Sequence, residues 1–307
     1  MNKSKIAYFY LGFVIILWAS APAVAKILLK NLNNFQVLFF TTLIATITLF
    51  LIALFQNKIK LICDYKLKDY LTFAYMGGLG IFLYYLFSFG SLMLISAQES
   101  TIVNYLWPIM VVIFASLILK EKLTLTKITA IILSFLGVYI VISQGNLLSF
   151  TFSNKTGVLL AFLGAVSYGL FSVLGKQHNY ERITSMMFYY LFSFVFITIA
   201  VLIFSKIQLP NLYELIGLLW LGAIISGIAY VLWFLALKYG ETSKVSNIIY
   251  LTPFVALIYI SILVGEKILF SSIIGLIVII LGISLQFLKL NKNSKKIIYL
   301  RKKKKSL

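Results

Sequence analysis

The sequence YLWPIMVVIFASLILKEK occupies residues 105–122, and a closely similar one, YLTPFVALIYISILVGEK, occupies residues 250–267. Both are apolar, carry a proline near the start and end in a Glu-Lys pair. Identical residues stand 145 positions apart, as from Pro108 to Pro253, and the same offset continues outside the two stretches. The other matched pairs are Tyr85 and Tyr230, Phe89 and Phe234, Tyr105 and Tyr250, Ser116 and Ser261, Glu121 and Glu266, Lys122 and Lys267, and Gly137 and Gly282. One register held over three predicted helices indicates an internal repeat.

The composition is that of a membrane protein. Of the 307 residues, 62% are hydrophobic and only 11% are charged, whereas a soluble domain carries about 25% charged residues. The long apolar runs reach the roughly 20 residues that a helix needs to cross a bilayer. An all-α membrane protein with ten transmembrane helices is therefore predicted. The predicted spans are 6–27, 35–55, 69–94, 100–119, 125–143, 156–176, 185–205, 212–236, 244–264 and 271–289.

The positions of the positive charges predict the orientation of these spans. Lys and Arg concentrate in the cytoplasmic loops of membrane proteins. With the N-terminus inside and the spans alternating, only five of the 27 Lys and Arg residues fall outside, and the remaining 22 fall inside. The five outside residues are Lys26, Lys30, Lys155, Lys206 and Lys267. Both termini are therefore predicted to be cytoplasmic.

Residues 291–307 form a basic tail that supplies much of the net charge of +19. A basic segment directly after the last span is typical of a cytoplasmic anchor near anionic lipid. Because no folded soluble module accompanies the tail, we expect no nucleic-acid partner. Cys63 is the single cysteine, which excludes an internal disulfide and argues against a cysteine-based metal site.

The motifs of common enzyme and cofactor sites are absent from the sequence. It contains no Walker loop, no zinc-binding H-E-x-x-H and no G-x-S-x-G elbow. We therefore expect no catalytic residues, no metal and no cofactor, and the protein is predicted not to be an enzyme.

The repeat divides the chain into two five-helix halves, residues 1–148 and 153–290. Their first helices also align, at an offset of 150, so that Trp18 matches Tyr168 and Lys26 matches Lys176. Because five is odd, the two halves must lie in the membrane with opposite orientations. Inverted repeats are a common transporter architecture, with the substrate site near the midplane between the halves.

These residues resemble a known family. The repeated P-x(12)-E-K pattern, which begins at Pro108 and again at Pro253, and the opening LWASAPAVAK resemble the EamA-type ten-helix transporters of the drug/metabolite transporter superfamily. The resemblance covers the whole chain except the basic tail. It implies transport of amino acids, other metabolites or drugs across the plasma (inner) membrane. In bacteria the direction of this transport is usually outward.

We therefore expect a multi-pass secondary transporter that exports amino acids or other small amphipathic metabolites through a central cavity by alternating access. Its partners would be a small-molecule substrate and the lipid bilayer, and a monomer is expected because ten helices can enclose a path. A multidrug or organic-cation exporter is the first alternative. A membrane-embedded enzyme or a sensor is a further alternative. A measurement of substrate flux would distinguish a transporter from either of these two.

The two prolines are predicted to kink their helices. A proline inside a helix removes one N–H and leaves the carbonyl four residues earlier without its partner. Pro108 would free the carbonyl of Asn104, and Pro253 that of Ile249. In a bilayer such carbonyls must face protein or a wet cavity. The kinks either shape a cavity that flexes during transport or are static packing features.

Aromatic residues and amides at repeat-related positions are the candidate substrate site. The third and eighth spans contain FLYYLFSF at 82–89 and YVLWF at 230–234. Tyr and Trp combine apolar area with one polar group, which suits a cavity for an amphipathic solute. Core packing or an interfacial aromatic belt is the alternative. The predicted lining is Trp18, Tyr85, Asn104, Trp107, Tyr168, Tyr230, Trp233 and Asn247.

The acidic residues are predicted to avoid the middle of the membrane. All eight fall at predicted helix ends or in loops. A buried carboxylate is the usual proton relay and the usual counter-charge for a cation at depth. We therefore expect a neutral or zwitterionic substrate and no coupling through a midplane acid, with Glu99 and Glu121 the acids that could border the cavity. Lys26 and Lys176, at helix ends, are expected to reach the headgroups.

Overall fold

The computed structural model describes residues 3–144, 146, 154–241, 245 and 248–288. Two parts of the predictions lie outside these residues, namely Asn247 and the basic tail at 291–307. Every regular element in the described part of the chain is helical, so the prediction of an all-α protein is confirmed there.

The described residues form a succession of apolar helices joined by short connections. The helices are α1 (Lys3–Leu28), α2 (Asn34–Phe55), α3 (Leu67–Leu94), α4 (Ala97–Ile118), α5 (Leu125–Ile142), α6 (Lys155–Gly175), α7 (Arg182–Phe204), α8 (Leu212–Tyr239), α9 (Ile249–Val264) and α10 (Phe270–Leu288). By length and composition, α1 to α8 can each cross a membrane, whereas α9 and α10 are shorter within the described residues. The chain is thus a multi-pass membrane protein, and ten crossings stay a prediction.

Polar side chains define where several helices begin. Asn33 accepts a hydrogen bond from the Gln36 N–H at 3.0 Å, and Asn154 accepts one from the Gly157 N–H at 3.0 Å. Asn211 caps α8 in the same way. Each cap satisfies a backbone donor that the helix itself cannot, an effect of about 1 kcal/mol. These polar turns separate the apolar runs into distinct helices.

Glycines allow the last helix of each predicted half to meet backbone to backbone. A Cβ atom on Gly137 of α5 would lie 2.5 Å from the carbonyl oxygen of Gly275 on α10. A Cβ atom on Gly282 would lie 2.9 Å from the carbonyl oxygen of Ala130. Neither contact tolerates a side chain, and small residues of this kind let membrane helices approach closely. The repeat-matched glycines Gly137 and Gly282 therefore both serve the α5–α10 contact.

The two prolines interrupt the fourth and ninth helices. In α4, Tyr105 and Leu106 form a turn in which the Leu106 N–H bonds to the Val103 carbonyl at 3.1 Å, and a new helical segment starts at Trp107. In α9, a 3₁₀ turn at Ile249–Leu251 precedes Pro253. The Ile249 carbonyl, which Pro253 cannot bond, accepts a hydrogen bond from the Thr252 hydroxyl at 2.6 Å. A neighbouring side chain thus satisfies the carbonyl that the proline frees.

Widened turns occur at matching places in the two predicted halves. α3 contains a π-helical segment at Gly78–Leu83 and α8 contains one at Trp220–Ile228. Each ends just before the repeat-matched tyrosine, Tyr85 or Tyr230. Such segments rotate the residues that follow and are frequent at functional sites.

Candidate functional site

A cavity of about 190 Å³ lies at the centre of the helices. One water needs roughly 10–15 Å³ in this measure, so the space can hold a small organic molecule. Its walls come from α1, α3 and α4 on one side and α8 and α9 on the other, with one residue each from α2 and α6. The lining is Trp18, Ala21, Pro22, Ala25, Thr41, Tyr84, Tyr85, Ser88, Phe89, Leu92, Ser100, Thr101, Asn104, Tyr105, Trp107, Tyr168, Leu221, Ile225, Ser226, Tyr230, Ile249, Tyr250, Thr252 and Ala256.

The structure brings six of the eight predicted site residues together around this cavity. They are Trp18, Tyr85, Asn104, Trp107, Tyr168 and Tyr230. Trp233 is outside the lining: it packs with Leu11 and Ile15, and its ring lies 5.7 Å from that of Trp18. Three residues beyond Tyr230 on α8, it faces α1 behind the cavity wall. The eighth residue, Asn247, lies outside the described residues.

Trp18 joins α1 to the widened turn of α8. Its indole Nε1 donates a hydrogen bond to the Ile225 carbonyl oxygen at 3.3 Å. Ile225 belongs to the π-helical segment, where the ordinary helical bonding is shifted. The indole is therefore held in place by a backbone group as well as by ring packing, and it presents a fixed face to the cavity.

Asn104 is held by a network that the sequence pattern did not reveal. Its Oδ1 accepts a hydrogen bond from the Tyr84 hydroxyl at 3.2 Å, and its Nδ2 donates to Ser88 Oγ at 3.1 Å. Nδ2 also lies 3.4 Å from the Ala161 carbonyl oxygen. The spacing of four between Tyr84 and Ser88 places both on one face of α3, and this is the signal that could have identified them. The amide is thus oriented at the break in α4.

Aromatic rings form a large part of the remaining wall. Tyr168 on α6 contacts both Trp107 and Tyr84, with ring centroids 5.1 Å and 4.9 Å away. Tyr85 packs against Phe89 at 5.2 Å. Edge-to-face and tilted pairs of this kind add stability beyond the area they bury, about 0.5–1.5 kcal/mol each. The wall is consequently a rigid aromatic surface with hydroxyl groups set into it.

The lining contains no Asp, Glu, Lys, Arg or His among the described residues. Its polar groups are hydroxyls and one amide. The described residues also contain no group of three or more His, Cys, Asp or Glu side chains able to hold a metal ion. Chemically, the arrangement can surround an apolar or aromatic group and exchange hydrogen bonds with neutral polar groups.

The two acids expected nearest the cavity have different environments. Glu99 is 5% exposed, in the first turn of α4, where its N–H bonds to Ser96 Oγ at 3.1 Å. It is next to Ser100, which lines the cavity, but is not itself in the lining. Glu121 lies on the surface after α4 and pairs with Lys127 at 2.9 Å. The acids were expected at helix ends or in loops, and Glu99 does lie in the first turn of a helix, where it is buried.

The fold and the cavity together define a multi-pass helical membrane protein with a central chamber that is rich in aromatic residues. The sequence model of the EamA-like transporter family matches residues 5–143 and, separately, residues 155–288. Because the matches cover most of the chain, it belongs to the EamA-like transporter family and is a membrane transporter. Such a protein acts in a lipid bilayer on a small-molecule substrate.

Individual relatives are also named as transporters. An uncharacterized transporter from Archaeoglobus fulgidus is 25% identical over 280 residues, covering 90% of this chain and 95% of the relative. An uncharacterized transporter from Clostridium kluyveri is 26% identical over 297 residues, which cover 91% of this chain and 92% of the relative. The uncharacterized transporter YyaM from Bacillus subtilis is 27% identical over 246 residues, which cover 78% of this chain and 80% of the relative. A solved crystal structure that is 20% identical overlays with a TM-score of 0.66, covering 94% of this chain and 97% of that one, and so shows the same fold.

Proposed function

We propose that this protein is a ten-helix secondary transporter that exports amino acids or other small amphipathic metabolites by alternating access. The cavity carries this proposal, because residues of both predicted halves line it: Trp18, Tyr85 and Asn104 from the first, Tyr230 and Thr252 from the second. A site shared between two inverted halves is exposed to one face or the other when the halves rock. The separate matches of one family to the two halves support the inverted repeat.

The chemistry of the lining favours a substrate without net charge. A charged group that leaves water needs a counter-charge or a dense set of hydrogen bonds. The described lining supplies hydroxyls, one amide and aromatic faces. These groups match a neutral or zwitterionic solute that carries an apolar or aromatic portion, and they provide no carboxylate for a proton relay.

The alternative is an exporter of multiple drugs or organic cations. One observation favours it, namely the aromatic lining, because cations bind to the faces of Trp and Tyr rings. Trp18, Tyr85, Trp107 and Tyr168 could take part in such binding. The described part of the lining contains no carboxylate, and this weighs against the alternative, since a cation at membrane depth usually has a carboxylate partner.

The orientation follows from the charges. With both termini cytoplasmic in the bacterial plasma membrane, the basic tail at 291–307 would lie beside the anionic inner leaflet. The cavity is formed within one chain, so a monomer suffices for transport.

The proposal is tested by flux measurements on purified protein in proteoliposomes. Radiolabelled neutral, zwitterionic and anionic amino acids and amphipathic metabolites are compared with a lipophilic organic cation. Saturable flux of a neutral or zwitterionic solute, lost in the double variant W18A/Y230A, is expected. Saturable flux of the cation alone would establish the alternative, and a wild-type protein that transports none of these solutes above empty liposomes would contradict the proposal.

A further inference from the structure

The polar groups of the cavity wall differ in whether the protein already uses them. The Tyr84 hydroxyl and Ser88 Oγ are both bonded to the Asn104 amide. The Thr252 hydroxyl is bonded to the Ile249 carbonyl oxygen. These bonds hold the wall in shape. The lining groups without such bonds are the ones that remain for a ligand.

Thr41 of α2 and Thr101 of α4 both line the cavity with hydroxyl groups of the second kind. Thr41 is 1% exposed and Thr101 is 6% exposed. Within the part of the chain that the structure describes, neither hydroxyl oxygen has a hydrogen-bond partner. Thr42, by contrast, donates to the Leu38 carbonyl oxygen at 2.8 Å, as threonines in helices commonly do. The two lining threonines make no such bond to their own helices.

A buried hydroxyl without a partner costs free energy, because it has lost its hydrogen bonds to water and gained none in return. Both oxygens are shielded from solvent by the protein. The cavity beside each side chain is therefore the space from which a partner can reach it. Rotation about χ1 exchanges the hydroxyl and the methyl group of a threonine, and both arrangements occur in helices. Each hydroxyl is thus available to a molecule that fills the cavity.

Both threonines lie towards one end of the cavity. Thr101 is four residues after the start of α4, and Thr41 is seven residues after the start of α2. At 1.5 Å per residue, they lie roughly 6 Å and 10 Å along these helices. Tyr168 is thirteen residues into α6, roughly 20 Å along it. The charge distribution predicts that all three helices begin on the external side, so the threonines lie external to the ring of Tyr168.

The cavity wall offers a further hydrogen-bond acceptor in α1. Pro22 has no N–H, so it cannot bond to the carbonyl oxygen of Trp18, and both residues line the cavity. A carbonyl oxygen only accepts hydrogen bonds, whereas a threonine hydroxyl accepts and donates. This set suits a group that donates several hydrogen bonds, namely the ammonium group of a zwitterionic amino acid. The carboxylate of such a solute supplies the counter-charge that the described lining lacks.

We infer that Thr41 and Thr101 bind the ammonium group of a zwitterionic substrate, with the apolar part of the substrate against the aromatic rings deeper in the cavity. The inference rests on the proposed transport of such solutes, and it adds the residues that hold the polar end and the direction in which the substrate lies. The hydroxyl oxygens accept hydrogen bonds from the ammonium group. These bonds offset the free energy that the two hydroxyls lose in the empty protein.

The first test is a measurement of stability without a ligand. Valine has nearly the shape of threonine but no hydroxyl. T41V and T101V remove hydroxyls without a partner in the described protein, so their midpoints of thermal denaturation in detergent should equal or exceed that of the wild type. T42V removes a hydroxyl that is bonded to the Leu38 carbonyl, and its midpoint should be lower. Losses in T41V and T101V as large as that in T42V would overturn the inference.

The second test measures equilibrium binding of radiolabelled L-leucine to the purified protein in detergent. T41V and T101V should each raise the dissociation constant of leucine roughly tenfold, whereas T41S and T101S, which keep the hydroxyl, should change it by less than about twofold. S193A is the matched control, because the Ser193 hydroxyl is also buried without a partner in the described protein but is not in the cavity lining. Unlabelled 4-methylpentanoate has the leucine skeleton without the ammonium group. It should compete no more weakly against the valine variants than against the wild type.

Unchanged leucine affinity in T41V and T101V, or no leucine binding to the wild type, would overturn the inference. Equal losses of affinity for leucine and for 4-methylpentanoate would also overturn it, because the threonines would then contact the carboxylate. Both tests are made in detergent and register no movement of solute across a membrane. The flux measurements above can therefore fail while the leucine result stands, and flux of a solute can be found while the two threonines prove unimportant.

Discussion

Trp18 and Tyr230 pack edge to face, with ring centroids 5.3 Å apart and an interplanar angle of 63°. Trp18 belongs to the first helix of one predicted half, and Tyr230 belongs to the third helix of the other. Both line the cavity, and Trp18 is anchored to the Ile225 carbonyl. A contact between the two predicted halves therefore forms part of the cavity wall itself.

Truncation of either ring is expected to reduce transport. W18A and Y230A each remove aromatic area from the cavity wall, so the initial rate of substrate flux should fall about tenfold or more. The control is Y213A, since Tyr213 is 89% exposed near the start of α8. Rates are compared in proteoliposomes at equal protein content. Equal flux rates for all three variants would show that Trp18 and Tyr230 do not belong to the substrate site.

Transport is expected not to depend on an imposed pH gradient. No described residue of the lining is a carboxylate, so the chamber offers no group to carry a proton. Glu99 is the decisive control, because it is buried next to Ser100. Substrate accumulation is measured with and without a gradient, in wild type and E99Q. Gradient-driven accumulation that E99Q abolishes would identify Glu99 as the coupling acid.

The orientation can be read directly from the native cysteine. Cys63 is exposed on the short 3₁₀ helix Ile59–Asp64 between α2 and α3. The distribution of Lys and Arg predicts that this connection is cytoplasmic. A membrane-impermeant thiol reagent is expected to label it in inside-out vesicles and not in intact cells, with C63S as the unlabelled control. Labelling in intact cells would reverse the predicted orientation.

Glu181 is expected to make stability depend on pH. It lies 2.7 Å from the Lys58 ammonium and accepts the Thr184 N–H at 2.8 Å. Burial raises the pKa of Glu181, but the bonds from Lys58 and Thr184 outweigh it, so the pKa lies below its ordinary value of 4.5. A lowered pKa stabilises the fold above pH 4.5, and that contribution is lost as the pH falls through the folded-state value.

The measurement is thermal denaturation in detergent across the pH range 3–7. Near neutral pH, the denaturation midpoint of the wild type should be higher than that of E181Q. The difference between the two midpoints should shrink as the pH falls below 4.5. D64N is a control for general charge effects, because Asp64 is exposed on the short helix Ile59–Asp64. A difference between wild type and E181Q that is constant over the whole range would contradict the assignment.

Gly265 is expected to be sensitive to any side chain. Its φ of 81° is unfavourable for other residues, so G265A should destabilise the protein by about 1 kcal/mol. The matched change K120G is made at a φ of 54° and should not destabilise. Midpoints of thermal denaturation in detergent compare the two variants. Equal losses at both positions would argue against backbone strain as the cause.

The repeated proline stretch predicted much of what surrounds the cavity. Because Pro108 and Pro253 remove helical hydrogen bonds wherever they occur, the interruptions of α4 and α9 follow from chemistry that is local in sequence. The repeat-related positions of aromatic residues similarly predicted Trp18, Tyr85 and Tyr230 as candidates for the cavity lining. The prediction did not separate Trp233 from Tyr230, because the rotation of α8 depends on its widened turn.

Contacts between distant residues could not be predicted in the same way. Glu266 reaches backbone N–H groups that lie 169 and 168 positions earlier in the chain. The spacing of residues in the sequence gives no information on which helix end lies beside a loop. The hydrogen bonds of Asn104 to Tyr84 and Ser88 depend likewise on how α3 meets α4. Tertiary packing decides such contacts.

The glycine contact between α5 and α10 bears on how the molecule can move. Where Gly137 faces Gly275, main chain touches main chain, and the side chains of Ile279 and Val141 pack against the two glycines. Interlocked side chains resist rotation, because each must leave one groove before it enters the next. The interlocked side chains and the close backbone approach therefore fix α5 and α10 to each other. A leucine at Gly137 would force the two helices apart, and would loosen the join between the two predicted halves even with the cavity intact.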